Sequence, residues 1–504
     1  MRSIISRFRW QTRAIFALAF TLLLTLASTG QAFAAVTLIK FSTDPYTNST
    51  SQHQTEVEPD IFSFGSTIVS AFQAGRFPDS HGGSSNIGWA TSTNNGSTWK
   101  HGFLPGITVY AGGTFPRTTD PAVVYDAKDK VWLISSMGVF LTGAEMLVSR
   151  STNGGLTWGN PVVVANFGSK VLLDKDWITC DNTASSPFYG HCYYEFDNNA
   201  ANDLEYMTTS TDGGISWGPA KNTADKVLGL GGQPVVAPDG TVVVPFEGFT
   251  NGGQPAIAYF LSTNGGTSWG TATLLQVVQF HTDAAGIRSS PLPSAAIDGA
   301  GNVYIAWADC RNIPGCAANQ ILYEILTGAS KLSSVRSGPI AVPGSTFSDY
   351  FIPGIGVDKS TSGSSAHVVL AFYYYTNTNC TVSTCQLNVG YVSSTNGGST
   401  FSSLVHVTGP MKVSWLPQSD LGYMVGDYIA TAFSSPGRAF PVFAKALQPN
   451  GGVACSSSGA VCHESIYTIA GGVTALGGSI PSTAVRSVVG SDHLGPPPTS
   501  VTAH

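Results

Sequence analysis

The sequence predicts an all-β protein, a β-propeller of four-stranded blades, and three observations carry that prediction. An eight-residue signature recurs five times along the 504-residue chain, with starts separated by 59, 59, 52 and 132 residues. Repetition at this period is the mark of a propeller, in which each repeat is one small sheet stacked on its neighbours. With 57 glycines and only 11% charged residues, the composition suits many short strands joined by tight turns. Alternating β-rich runs bounded by Gly, Asp and Pro fill the intervals between the signatures.

Each repeat begins with a turn, a short apolar strand, a second turn and a stronger strand. Such fronts start near Asp60, Asp120, Asp176, Gln233, Pro293, Pro353 and Asp427. Seven blades follow. The wide final interval spans two repeats, one of which lacks the signature. The last unit runs out near Ile469 with three strands. The segment Val36–Phe41 (VTLIKF) is the expected outer strand that closes the ring and covers an exposed edge. The Gly/Ser/Pro-rich tail, 471–504, reads as poorly ordered.

The signatures themselves read Ser92-Thr-Asn-Asn-Gly-Ser-Thr-Trp99, Ser151-Thr-Asn-Gly-Gly-Leu-Thr-Trp158, Ser210-Thr-Asp-Gly-Gly-Ile-Ser-Trp217, Ser262-Thr-Asn-Gly-Gly-Thr-Ser-Trp269 and Ser394-Thr-Asn-Gly-Gly-Ser-Thr-Phe401. The third residue bonds amides of the turn, the fifth is a glycine suited to positive φ, and the final aromatic packs between sheets. Four of the five carry neutral Asn at the third position. That favours a structural device over a catalytic acid or metal ligand.

This signature resembles the Asp-box (BNR repeat) of the sialidase superfamily, and the resemblance runs through residues 35–470. It implies a β-propeller whose boxes lie on the face away from the active site. Enzymes of that superfamily have six blades, so six is the alternative to the count of seven. Where catalytic, they grip a substrate carboxylate with three Arg, and use a Tyr nucleophile activated by Glu with an Asp as acid/base. The family's Arg-Ile-Pro motif is absent here, and Arg76-Phe77-Pro78 has only similar spacing.

The beginning of the chain predicts a protein exported from the cell. Arg2, Arg7, Arg9 and Arg13 precede an apolar run over about 14–27, followed by Ala32-Phe33-Ala34. Residues 1–34 therefore read as a secretory signal peptide rather than a membrane anchor. Without those four Arg, 20 basic residues face 30 acidic ones, which argues against nucleic acid or an anionic membrane as partner. The expected state is a secreted monomer with no membrane insertion. Eight cysteines in four local pairs (Cys180/Cys192, Cys310/Cys316, Cys380/Cys385 and Cys455/Cys462) suit disulfides better than zinc.

Strand order brings the residues before each first strand to one channel mouth, opposite the signatures. These positions are polar in a chain short of charge: Glu58 and Asp60, Arg117 and Asp120, Asp174 to Asp176, Gln233, Arg288, Asp349, and Asp427 with Tyr428. The ends of the second strands add Arg76, Glu195, Glu247, Asp309 and Arg311. Convergent charges of both signs suit a polar, anionic ligand such as a sugar acid. The plainer alternative is that each Asp caps its turn and each Arg ties two blades.

By the resemblance, Arg117, Arg288 and Arg311 are candidates for the carboxylate grip, with Arg76 and Asp427 as further binding residues. Asp120 or Asp176 would be the acid, Tyr428 the nucleophile and Glu247 its base. The function expected is hydrolysis of extracellular glycans by an exo-sialidase or related glycosidase. The competing reading is a non-catalytic propeller that binds glycan, cell-wall polymer or a protein. No cofactor is implied, although the mouth carboxylates leave room for a calcium ion. Neither a Gly-x-Ser-x-Gly elbow nor a His-Glu-x-x-His motif occurs.

Overall fold

Period-two alternation of apolar residues produces strands almost everywhere. The computed structural model describes residues 36–168, 171–328, 333–339 (backbone only), 348–452, 454–481 and 493–498, and the signal-peptide expectation lies outside them. Among the described residues there are strands and short 3-10 turns but no α-helix, and thus none long and apolar enough to cross a membrane.

Among the described residues, most strands group in chain order into seven antiparallel units, with two short two-stranded pairs beside them. The first comprises Glu56–Phe64, Thr67–Arg76, Ser84–Ser92 and Lys100–Phe103. The second comprises Arg117–Asp126, Val131–Val139, Ala144–Ser151 and Val162–Asn166. Its sheet meets the first through the pair Ser84 and Thr118. The third has Asp174–Cys180, Cys192–Asn198 and Leu204–Ser210. Its outer position holds only isolated bridges from Met207 to Lys221 and from Leu204 to Leu228. The segment 218–226 (GPAKNTADK) lacks the β-branched alternation a fourth strand needs.

In the fourth unit, Gly229–Leu230 and Val235–Val236 both pair with Val242–Thr250, followed by Pro255–Ser262 and Thr273–Val277. The fifth runs through Ser294–Ile297, Val303–Asp309, Gln320–Thr327 and Ser333–Pro339. The sixth runs through Asp349–Val357, Val368–Tyr375, Gln386–Ser394 and Val405–Lys412. The seventh has Ala430–Ser434, Arg438–Ala446 and Glu464–Ile469, and Leu38–Lys40 pairs antiparallel with its last strand.

The first strand of each unit contacts the first strand of the next, and Ala430–Ser434 contacts Glu56–Phe64. Side chains lock these neighbours together. The Asp60 carboxylate accepts the Val123 amide (2.7 Å), the Gln233 carbonyl accepts the Ala295 amide (3.0 Å), and Ser294 Oγ accepts the Ile355 amide (3.1 Å). Asp60 and Gln233 thus tie neighbouring units, a role the plainer reading had given to Arg, with Asp as a turn cap.

Apolar cores lie between successive units. Val69, Ile87 and Trp89 meet Trp132 and Ile134, while Leu133 and Val148 meet Ile178 and Phe196. Val243 and Ile257 likewise meet Ile305 and Trp307. Each fully buried side chain of this size contributes about 1.5–3 kcal/mol.

The five signatures share one geometry. The third residue's side-chain oxygen accepts the amide of the seventh at 2.9–3.0 Å in every copy. The leading Ser hydroxyl accepts the amide of the fifth-position Gly at 2.9–3.1 Å. That glycine is required. At Gly266, φ is +77° and a Cβ would sit 2.2 Å from Thr209 Oγ1 of the neighbouring unit.

Four disulfides join the cysteines in the expected local pairs. The tail departs from expectation where it is described. Val473–Thr474 and Leu494–Gly495 pair with strands of the seventh and fourth units, and Ile480–Pro481 pairs with Thr400–Phe401 at the end of the last signature. At these points the tail is backbone-paired, and residues 482–492 and 499–504 lie outside the described ones.

Candidate active site at the strand bulges

The polar mouth is built where the first strands break register. The pairing skips residues after Val57, after Thr119 and after Asp174. One residue in each bulge takes a left-handed conformation: Glu58 (φ +53°), Asp120 (φ +51°) and Lys175 (φ +36°). A bulge re-aims the side chain that an unbroken strand would point into the sheet stack. Here it brings three charged groups from three units together.

Lys175 is the hub. Its ammonium donates to Asp427 and lies 3.6 Å from Asp120 Oδ1. The Arg288 guanidinium donates to the same Asp427 oxygen at 2.5 Å. The Asp427 amide donates to Glu58 Oε1 (3.2 Å), and the Gln73 amide donates to Glu58 and to Thr119 Oγ1. Arg76 ends its strand beside this network and donates to Gln73 Oε1 (3.2 Å). The Arg288 backbone is held in place by its amide, which donates to the Tyr423 carbonyl (2.7 Å).

A pocket of about 720 Å³, counting the space it shares with solvent, opens on this network. Glu58, Arg76, Asp120, Asp174 and Arg288 line it, with Thr119, His81 and Asn199. Met137, Val139, Phe140, Leu172, Leu173 and Leu421 form an apolar wall.

Burial sets the electrostatics. It pushes Glu58 up to about 7, with Asp120 and Asp427 adding to the shift. Asp174 is also raised by burial to about 7, although Lys175 opposes the change. Burial works against the Lys175 charge, but Asp427, Asp120, Glu58 and Asp174 outweigh it and hold its pKa above the ordinary lysine value. Burial and the nearby Arg288 charge lower Arg76. Arg288 is raised, because Asp427 and Glu58 more than offset its burial.

The expected site residues divide into two groups. Arg76, Arg288 and Asp120 line the pocket, and Asp427 binds the two cations beneath it. The expected grip of Arg117, Arg288 and Arg311 is not assembled there. Arg117 forms a two-pronged bond with Asp79 (2.5 and 2.6 Å) and lies over the Phe77 ring. Arg311 is taken up by Asp309, Gln276 and the Val277 carbonyl.

Asp176 is buried outside the lining, and its pKa is raised well above the carboxylate range by burial and by Asp120. Glu247, also outside the lining, is raised to about 8 by burial and by Asp203. The Tyr428 hydroxyl donates to the Pro121 carbonyl (3.0 Å), and its ring stands edge-on to Trp177. Burial and then Glu58, Asp120 and Asp176 push the Tyr428 pKa well up, the direction opposite to an activated nucleophile. Tyr373 and Tyr375 are fully buried and donate to backbone carbonyls.

Sequence reasoning placed Asp174 and Lys175 at the mouth without giving them roles. The signal was present in Asp174-Lys175-Asp176, an alternation of charge at the entry to a predicted strand. Among the described residues, no group of three or more His, Cys, Asp or Glu is arranged to hold a metal ion.

No family model matches the chain, and no curated protein matches it in sequence. Solved structures similar to it include glycan-active enzymes at low identity. A leech intramolecular trans-sialidase complexed with 2,7-anhydro-Neu5Ac is 14% identical, with a TM-score of 0.46 over 68% of this chain and 67% of that one. An ulvan lyase of a polysaccharide lyase family is 10% identical, with a TM-score of 0.48 over 86% and 96%. A Dyadobacter fermentans protein of unknown function is 18% identical, with a TM-score of 0.44 over 71% and 99%.

Proposed function

We propose that the seven units are the blades of a closed, sialidase-like Asp-box propeller, and that its pocket cleaves an acidic sugar from extracellular glycans. The cyclic succession of first-strand contacts supports the ring, and the Leu38–Lys40 pairing supports its closure. The leader-like start of the chain and the four disulfides support an oxidising, extracellular setting.

The observation that carries the catalytic reading is the set of groups lining one pocket: two guanidiniums, Arg76 and Arg288, with the carboxyls of Asp120 and Asp174. The guanidiniums receive the sugar carboxylate through forked donors that bind it two-pronged. Asp174 accepts the Lys175 amide on Oδ1 and keeps its proton up to about neutrality. It protonates the leaving glycosidic oxygen. Asp120, beside the Lys175 ammonium, acts as the second carboxylate and directs water to the anomeric carbon. The wall of Val139, Phe140 and Leu172 covers the less polar side of the ring and sheds water from the reacting centre.

The test is to incubate the purified protein with defined glycans ending in sialic acid, uronic acid or neutral sugars, and to follow the mixture by mass spectrometry. Loss of a terminal acidic sugar, abolished in Asp174→Asn and Arg288→Met, is the expected result. Loss of a neutral sugar instead would remove the role given to the guanidiniums. An unchanged mixture in which an acidic glycan is nonetheless retained by the protein would establish the binding propeller in place of the enzyme.

A further inference from the structure

Behind the pocket, the third unit carries four buried carboxyls on one sheet face. Asp174 lies directly opposite Asp197, and Asp197 directly opposite Glu205, across three adjacent antiparallel strands. Directly paired residues project to the same side, with Cβ atoms about 5 Å apart. Glu195, two residues from Asp197, shares that side. Glu195, Asp197 and Glu205 have no exposed surface at all. The fourth unit closes over them so tightly that a Cβ on Gly232 would sit 2.7 Å from the Glu195 carboxyl carbon.

Lys175 is the cation that faces this ladder, and its charge acts on Asp174 and Asp197. Among the described residues, no donor reaches the oxygens of Glu195, Asp197 or Glu205. The groups facing them from the packed elements are Asp176, Asp203 and the Lys175 ammonium, with Glu247 beyond Asp203. Lys175 is drawn away to Asp427. The carboxyls run along the sheet instead of converging, and no three of them are set to hold a metal ion. Glu195 and Glu205 are diagonal neighbours across the strand pair, and two carboxyls bond only when one carries a proton.

We propose that shared protons hold this ladder together, making the packing of the third unit on the fourth a pH-sensitive latch, closed in an acidic medium and loosened as the medium becomes neutral to alkaline. The electrostatics agree in sign. Burial and like charge raise Glu195 and Asp197 well above the carboxylate range, and burial raises Glu205 to about 8. Each pKa is higher in the folded chain than in the unfolded one. The stabilisation is therefore full below the ordinary carboxylate value and is lost as pH rises through about 8. A protein built this way is suited to work in acid.

The test is urea unfolding of the full mature chain at pH 5 and pH 8, for wild type, the Asp197→Asn/Glu205→Gln double variant and the single variant Glu195→Gln. The wild-type midpoint is expected to fall between pH 5 and pH 8. In the variants the fall should be smaller than in wild type, with the midpoint at pH 8 above that of wild type. A wild-type midpoint that is flat or rising with pH would overturn the proposal. So would variants that keep the full wild-type slope. Should the double variant fail to fold, Glu195→Gln carries the comparison. Calcium or magnesium chloride at pH 8 should leave the wild-type midpoint no higher than an ionic-strength control. A specific rise would show that a cation occupies the ladder and would refute proton sharing.

Discussion

Asp427 should matter more to folding than either cation it binds, and by a margin that can be worked out. Its carboxylate serves the Lys175 ammonium and the Arg288 guanidinium together, and all three side chains are at least nine-tenths buried. Asp427→Asn leaves two buried cations without the carboxylate they share. Stranding buried charge in this way costs about 3–5 kcal/mol. Arg288→Met removes one charge-assisted hydrogen bond, worth about 1.5–3 kcal/mol. It also removes the cost of desolvating a guanidinium, so the net loss should be about 1–2 kcal/mol. Lys175 then keeps both Asp427 and Asp120. The assay is urea unfolding followed by tryptophan fluorescence, for which Trp177 is a local reporter, edge-on to the adjacent Tyr428. Asp427→Asn should be the less stable variant, and the double variant should lose less than the sum of the two. Equal costs, or strict additivity, would show that the two cations do not depend on one carboxylate.

Four further outcomes follow from the same geometry. Tyr428→Phe loses only the bond to the Pro121 carbonyl, so stability should drop by about 1 kcal/mol with activity retained; abolished turnover on the cleaved glycan would restore the tyrosine as nucleophile. Gly266→Ala meets both a φ of +77° and Thr209 Oγ1, whereas Gly154→Ala meets a φ of +80° with nothing within 4 Å. Gly154→Ala should therefore cost about 1 kcal/mol and Gly266→Ala distinctly more, as measured by thermal unfolding. Deleting residues 36–41 removes the strand paired with Glu464–Ile469 and the Phe41 contact with Trp99. The midpoint should fall and the bared edge should self-associate in light scattering; an unaltered monodisperse protein would argue against ring closure. Finally, Glu58 and Asp174 each become neutral below about 7, which leaves Arg76, Lys175 and Arg288 facing Asp120 and Asp427. Affinity for glucuronic or sialic acid, read by calorimetry, should rise from pH 8 to pH 5; a fall would remove the guanidiniums as the binding groups.

The repeating architecture was legible because it depends on local rules. Each signature closes its own turn through bonds spanning four residues, so its spacing marks the units directly. The pairing of 38–40 with the seventh unit followed from counting strands, since three strands leave an edge that needs a partner. The lost outer strand of the third unit was less legible, as its segment departs from the others in lacking β-branched alternation, with Thr223 its one β-branched residue. Arginine partnerships were hidden for a different reason. Position in a repeat fixes the face a residue occupies, but not which neighbour satisfies it. Asp79 lies in the loop after Arg76 and takes Arg117 from the second unit, while Asp309 takes Arg311 from two residues away. Arg76 and Arg288 reach the pocket lining, where each keeps a buried Nε without a partner.

The bulges show why charge, not strain, identifies the mouth. Glu58 and Asp120 precede prolines, which push the preceding residue toward extended backbone, yet both are left-handed. Such a conformation costs about 1–3 kcal/mol and persists only where the surrounding structure enforces it. Ile352, before Pro353 in the sixth unit, has the same register skip and a φ of +50°. Its side chain is buried and does not line the pocket. The kink therefore belongs to the way these first strands pack, and strain alone would have nominated Ile352 as readily as Asp120. What separates the two is the side chain each kink delivers. In the first three units the kink presents Glu58, Asp120 and Lys175, groups that cost free energy to bury and are retained together around one pocket. Selection for folding alone would accept an apolar residue there, as the sixth unit demonstrates, so the charged trio is the part of the mouth that folding does not explain.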